Sequence, residues 1–118
     1  MEFTLKEKKA ICSYLWDMMV ADGKITGHEG LYFKKVQVSL GLTDDEFTEF
    51  HESKERDQRI VTITNMNQDK RLIFAKLLVE MMMVDGKVEE SEARVLAIVS
   101  LTFGMDKEIK AAMLTLIK

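Results

Sequence analysis

The sequence predicts an all-α fold, a single compact bundle of about six to seven helices built as two similar three-helix halves. Three observations predict it. The chain contains no proline, the residue that breaks helix interiors. Its apolar residues recur at helical spacing along most of its length. One stretch also occurs twice: Met18-Met19-Val20-Ala21-Asp22-Gly23-Lys24-Ile25 leads to Glu29, and Met81-Met82-Met83-Val84-Asp85-Gly86-Lys87-Val88 leads to Glu92. The separation is the same at both ends (85 − 22 = 63 and 92 − 29 = 63). With 118 residues the chain reads as one domain, residues 1–118, with an internal repeat of about 10–50 and 73–113.

The likeness runs beyond that stretch. When Trp16–Gly41 is laid on Val79–Gly104, Met18/Met81, Met19/Met82, Asp22/Asp85, Gly23/Gly86, Lys24/Lys87, Glu29/Glu92, Val36/Val99 and Gly41/Gly104 are identical. Asp17/Glu80, Ile25/Val88, Phe33/Leu96, Val38/Leu101 and Leu40/Phe103 are conservative replacements. Two units are too few for an open solenoid, so the halves are expected to bury apolar faces against each other.

Each helix has local reasons. Thr4 and Glu7 have capping-box spacing and start a first helix near Leu5, with Ile11, Leu15, Met18 and Met19 on its buried face. Asp22-Gly23 ends it. Thr26 and Glu29 repeat the cap and open a second helix, about Gly27 to Leu40, which buries Tyr32, Phe33, Val36 and Leu40 and ends at Gly41. Thr43 and Glu46 open a shorter third, with Phe47 and Phe50 inward.

Residues 53–67 are ambiguous. A charged run, Lys54 to Arg59, precedes Ile60-Val61-Thr62-Ile63-Thr64, whose β-branched residues favour strand. A lone strand has no partner in a helical domain, which leaves a short helix or an extended connector. Asn67 caps the next helix, about Gln68–Val84, with Ile73/Phe74, Leu77/Leu78 and Met81/Met82 recurring every four residues. A helix from about Glu90 to Phe103 carries Val95, Leu96, Ile98, Val99, Leu101 and Phe103 on nearly every side, the pattern of a central helix. Gly104 closes it, Asp106 caps the last helix, and Ile109, Ala112, Met113, Leu116 and Ile117 form that helix's buried stripe.

Composition narrows the function classes. A net charge of −3 and a pI near 5.4 give no general attraction to nucleic acid or to an anionic membrane. No signal peptide is visible, and no apolar run reaches the ~20 residues of a membrane span, so a cytoplasmic protein without direct membrane insertion is expected. The single cysteine, Cys12, lies among apolar residues and reads as a buried structural thiol. His28 and His51 complete neither a zinc spacing nor a nucleophile–base pair, and no phosphate loop or dinucleotide fingerprint is present. The methionines of Met81–Met83 fall at core spacing and read as packing rather than as soft-metal ligands.

The repeated string invites comparison with a calcium EF-hand, and the comparison fails. With Asp22 at the fifth loop position and Glu29 at the twelfth, Met18 and Val20 would stand where oxygen ligands are required. Capping explains each motif residue singly. It does not explain why both carboxylates and the lysine recur while Gly27/Glu90 and Leu31/Arg94 diverge. If the two loops converge, Asp22, Glu29, Asp85 and Glu92 form one acidic cluster, whose mutual repulsion a cation would relieve. Hard oxygen ligands suit Ca²⁺, Mg²⁺ or Mn²⁺. The competing reading is plain loop architecture.

Two Asp-Gly-Lys-[Ile/Val]-x-x-x-Glu strings on paired helices resemble the TerB-like tellurite-resistance family, from about Lys9 to Phe103. That family also includes a domain of a membrane-anchored J-domain co-chaperone. The resemblance implies an all-helical bundle of two similar halves in a bacterial cytoplasm, a link to tellurite resistance or stress response, and an acidic surface for metal or protein partners. By motif position it makes Asp22, Glu29, Asp85 and Glu92 the characteristic acidic residues.

The expected function is therefore a non-enzymatic helical module that binds a divalent cation or a protein partner through its duplicated loops. The alternatives are a purely structural interaction module, including a homodimer using an apolar patch near Tyr14 or Trp16, and a metal-dependent hydrolase with an open cleft over the acidic residues.

Overall fold

Local capping accounts for where the helices begin. In the computed structural model, which describes residues 2–20, 27–83, 97 and 99–117, the Thr4 main-chain N–H donates to Glu7 Oε1 (2.8 Å) and the Glu7 N–H returns a bond to Thr4 Oγ1 (3.1 Å). This reciprocal pair opens α1, Leu5–Val20. Thr43 and Glu46 form the same box at 3.0 and 3.1 Å and open α3, Asp44–His51. Asn67 Oδ1 accepts the Lys70 N–H at 2.9 Å at the start of α5, Gln68–Met83. Between these lie α2, Gly27–Ser39, and α4, Arg59–Thr64. The chain continues through α6, whose described residues are 97 and 99–103, into α7, Asp106–Ile117. No strand occurs among the described residues.

Glycine ends α2 and α6 in the same way. Gly41 and Gly104 take left-handed φ values of 74° and 63°, a conformation costly for a residue with a Cβ. The next N–H then reaches back five residues, from Leu42 to the Gln37 carbonyl (3.1 Å) and from Met105 to the Ser100 carbonyl (3.0 Å). All three positions are 63 apart (104 − 41, 105 − 42 and 100 − 37). Leu42 and Met105, the residues after the glycines, are both buried.

The segment 53–67 resolves into helix. Lys54–Gln58 forms a 3₁₀ turn capped by Ser53, and Ile60 to Thr64 continue as α4. Tertiary context overrides β propensity here: no strand among the described residues offers a ladder, while a helical turn sends Ile63 fully into the core and leaves Ile60 and Val61 exposed.

The core is one cluster that draws on α1 to α7. α1 packs against α2, α3 and α4, α5 packs against α7, and α2 reaches across to α5. The radius of gyration of 13.3 Å matches the about 13.5 Å of a well-packed chain of this length. Two aromatic groups hold the layers: Trp16, Phe33 and Phe47 meet edge to face across α1, α2 and α3, and Tyr14, Phe74 and Phe103 do so across α1, α5 and α6. Lys70 Nζ meets Glu7 Oε1 at 2.8 Å, and these positions are also 63 apart (70 − 7). A two-fold relation between the halves would map such a contact onto itself.

Two expectations need correction. α6 is not apolar-buried all round: Val99 and Phe103 are buried, but Leu101 is 85% exposed, so the helix has an outer face. Val95, Leu96 and Ile98 lie outside the described residues. Asp106 does not cap α7 but is its first residue, and Lys110 Nζ engages its carboxylate at 3.1 Å.

Candidate functional site

Of the four acidic residues singled out by the repeat, Glu29 is described; Asp22, Asp85 and Glu92 lie outside the described residues. Glu29 stands in the first turn of α2, where the helix dipole favours a carboxylate, and is only 7% exposed. Burial of a carboxylate is costly unless it is well satisfied, so this position is specified more tightly than a surface cap. Among the described residues, no three His, Cys, Asp or Glu side chains are placed together as a metal site.

One turn beyond Glu29, Tyr32 donates its hydroxyl to Glu80 Oε2 at 2.6 Å, tying α2 to the last turns of α5. Burial, then the bond to Glu80, pushes the Tyr32 phenol well above its ordinary pKa. The pair sits in a cleft of about 230 Å³ between the two helices, with Val36, Leu40, Ile73 and Leu77 as its apolar wall and Lys35 and Ser39 at the side. Tyr32 and Leu40, expected to be buried, are half-buried because they line this cleft.

A second polar group lies across α1. Ser13 is fully buried, and its Oγ stands 2.7 Å from His51 Nδ1 on α3. Arg59, the first residue of α4, donates through Nη1 to Ser13 Oγ (3.0 Å), to the Ser13 carbonyl (3.2 Å) and to Asp17 Oδ2. His51 Nε2 is 3.5 Å from Asp17 Oδ1. Since Ser13 Oγ accepts from Arg59, its own proton is directed at Nδ1, which favours the tautomer protonated on Nε2 beside Asp17. The ring of His51 stacks on Phe47 at 5.3 Å, and the Arg59 guanidinium lies 5.7 Å over the Tyr14 ring.

These residue types suggest a nucleophile, base and orienting acid, a pairing the sequence reading did not find. The geometry withdraws the nucleophile: Ser13 is 0% exposed and no reacting carbonyl can approach it. The group instead fastens α3 and α4 onto α1. Residues from 13 to 59 build it, and no local spacing announces it.

Burial pushes the His51 pKa below its ordinary value, Arg56 and Arg59 add to that, and Asp17 opposes it. The folded state therefore resists protonation that the unfolded chain accepts near pH 6.5. The neutral ring's contribution to stability is complete above about pH 6.5 and is lost as pH falls through the lower folded value. His51→Asn should flatten the dependence of the urea midpoint on pH between 7 and 5, and equal slopes in the two proteins would contradict this account. Cys12, as expected, is buried, and burial lifts its thiol to about 12, so it is no nucleophile.

No protein-family model and no curated protein matches the sequence. A crystal structure of a protein of unknown function from Porphyromonas gingivalis is similar over 98% of this chain and 99% of that one, with a TM-score of 0.75. The two share a fold. At 24% identity the likeness extends no further than that. No helix of the described residues is long and apolar enough to cross a membrane.

Proposed function

We propose that this chain is a non-enzymatic module of the TerB-like type that binds a divalent cation or a protein partner through the loops carrying Asp22, Glu29, Asp85 and Glu92. The observation that supports it is the double occurrence of the same carboxylates at a spacing of 63, one of them a helix-terminal glutamate only 7% exposed. Four carboxylates drawn together would repel one another, and a hard cation such as Ca²⁺, Mg²⁺ or Mn²⁺ would remove that cost. A stress-response role, tellurite resistance included, and a cytoplasmic, bacterial setting belong to the same proposal.

A ligand that binds only the folded state stabilises it, by about 2.7 kcal/mol at a hundredfold excess over Kd. Thermal melts with each of the three ions should therefore rise by several degrees for the wild type. They should not rise for Asp22→Asn combined with Asp85→Asn. A wild-type melt indifferent to all three ions removes the cation from the proposal.

A second reading, a structural module that associates with another copy of itself, loses the patch expected near Tyr14 or Trp16, both half-buried against the core, and rests instead on other exposed apolar side chains. Leu31, Val38 and Leu101 are 73%, 66% and 85% exposed, and Val38 and Leu101 are matched positions of the repeat (101 − 38 = 63).

A further inference from the structure

Residues 53–65, the 3₁₀ turn and α4, are held to the rest of the chain at few points. Within them Ile63 alone is buried, and α4 is six residues long with no side chain capping its start. A helix that short does not persist in water by itself, so tertiary contacts maintain it. Besides Ile63, the hold on α1 is Arg59, whose Nη1 reaches Ser13 Oγ, the Ser13 carbonyl and Asp17. Arg56 adds an exposed bond to the His51 carbonyl at 3.2 Å. His51, on α3, draws on the same two side chains as Arg59: Nδ1 is 2.7 Å from Ser13 Oγ, and Nε2 is 3.5 Å from Asp17 Oδ1. The His51 and Arg59 side chains are 17% and 16% exposed, so water gives either of them little relief.

We infer that residues 53–65 form an acid-sensitive strap over α1, which opens locally when the His51 ring takes up a second proton. In the neutral ring Nδ1 accepts the Ser13 hydroxyl, and Oγ is left to receive Arg59. The second proton sits on Nδ1. Ser13 Oγ then faces two donors, and its own hydrogen has to turn away inside a fully buried site. On the other side, a charged ring and the guanidinium compete for one carboxylate, Asp17. The charges facing the ring are Asp17 from α1, Glu52 after α3, Arg56 from the 3₁₀ turn and Arg59 from α4. Burial opposes the added charge, and these four divide two against two. Opening the strap takes both arginines away and lets water reach the ring, so the open form accepts the proton more readily than the closed one. Acid therefore shifts the population toward the open form, beginning below about pH 6.5, the ordinary value of a solvated histidine. Opening bares the side of α1 that carries Tyr14 and Asp17. The inference does not depend on what the acidic loops bind.

Amide hydrogen exchange of the full-length protein between pH 7 and pH 5, corrected at each pH for the intrinsic rate, reads the opening directly. Protection at the Ile63, Asn65 and Met66 amides should fall severalfold across that range, while Phe74 and Leu78 on α5 keep theirs. The fall should share its midpoint with the His51 ring, followed by NMR. In His51→Asn, whose amide oxygen can take the Ser13 hydroxyl but does not titrate, the three amides should be equally protected at both ends of the range. Unchanged protection at those amides in the wild type would overturn the inference, as would an equal loss along α5, which signifies global unfolding. A midpoint near about pH 4 would overturn it too, by assigning the change to a carboxylate such as Asp17. If His51→Asn opens the segment throughout the range, the wild-type midpoint decides: coincidence with the ring supports the strap, and divergence from it refutes it.

Discussion

Phe74→Ala should lower stability by about 3–5 kcal/mol, and the melting temperature by about 10–20 °C. Phe74 is fully buried, and its ring meets Tyr14 at 6.0 Å and Phe103 at 5.6 Å between centroids. Truncation loses the transfer energy of the ring, opens a cavity between α1, α5 and α6, and removes two edge-to-face contacts worth about 0.5–1.5 kcal/mol each. A domain of this size has about 5–15 kcal/mol in all, so the variant sits near the edge of folding. Chemical denaturation followed through Trp16 measures the loss. A cost below about 1 kcal/mol would mean that the helices close over the space, and that the aromatic layer is not what holds the halves.

The next largest effect belongs to Arg59. Arg59→Ala takes the partner from Asp17 and withdraws bonds from the Ser13 hydroxyl and carbonyl. Breaking a buried ion pair costs about 3–5 kcal/mol, but the Asp17 side chain is 36% exposed and water recovers part of that, which leaves about 2 kcal/mol. Asp17→Asn alone should cost less, because the amide still accepts from the guanidinium. The double variant should fall short of the sum of the two by about 1 kcal/mol, since both changes remove the same pairing of opposite charges. Strict additivity would show that the Arg59–Asp17 contact contributes nothing to holding α4.

How much of this was legible in the sequence follows from how local each feature is. The caps at Thr4, Thr43 and Asn67 act over three residues, so spacing reveals them, and the apolar faces of α1 and α5 follow from period alone. Leu101 was misread because an apolar count cannot say which side of a helix meets a neighbour. The segment 60–64 stayed open because propensity pointed to strand while the absence of a strand partner pointed away from it. The Ser13, Asp17, His51 and Arg59 group escaped because its bonds join positions 38 to 46 residues apart. A serine between Cys12 and Tyr14, on the inward face of α1, was the one available signal. Of the candidate acidic set, Glu29 alone falls among the described residues, as a buried carboxylate opening α2.

The bridge from Glu7 to Lys70 is one that two identical halves could not make. Two separate, identical half-length subunits would confront each other at that spot with the same side chain, acid against acid or base against base. Within one chain the two positions are independent of each other, and here one is a glutamate and the other a lysine. Either half made alone and paired with itself would set glutamate against glutamate or lysine against lysine at that spot, so it should associate less well than the joined halves do.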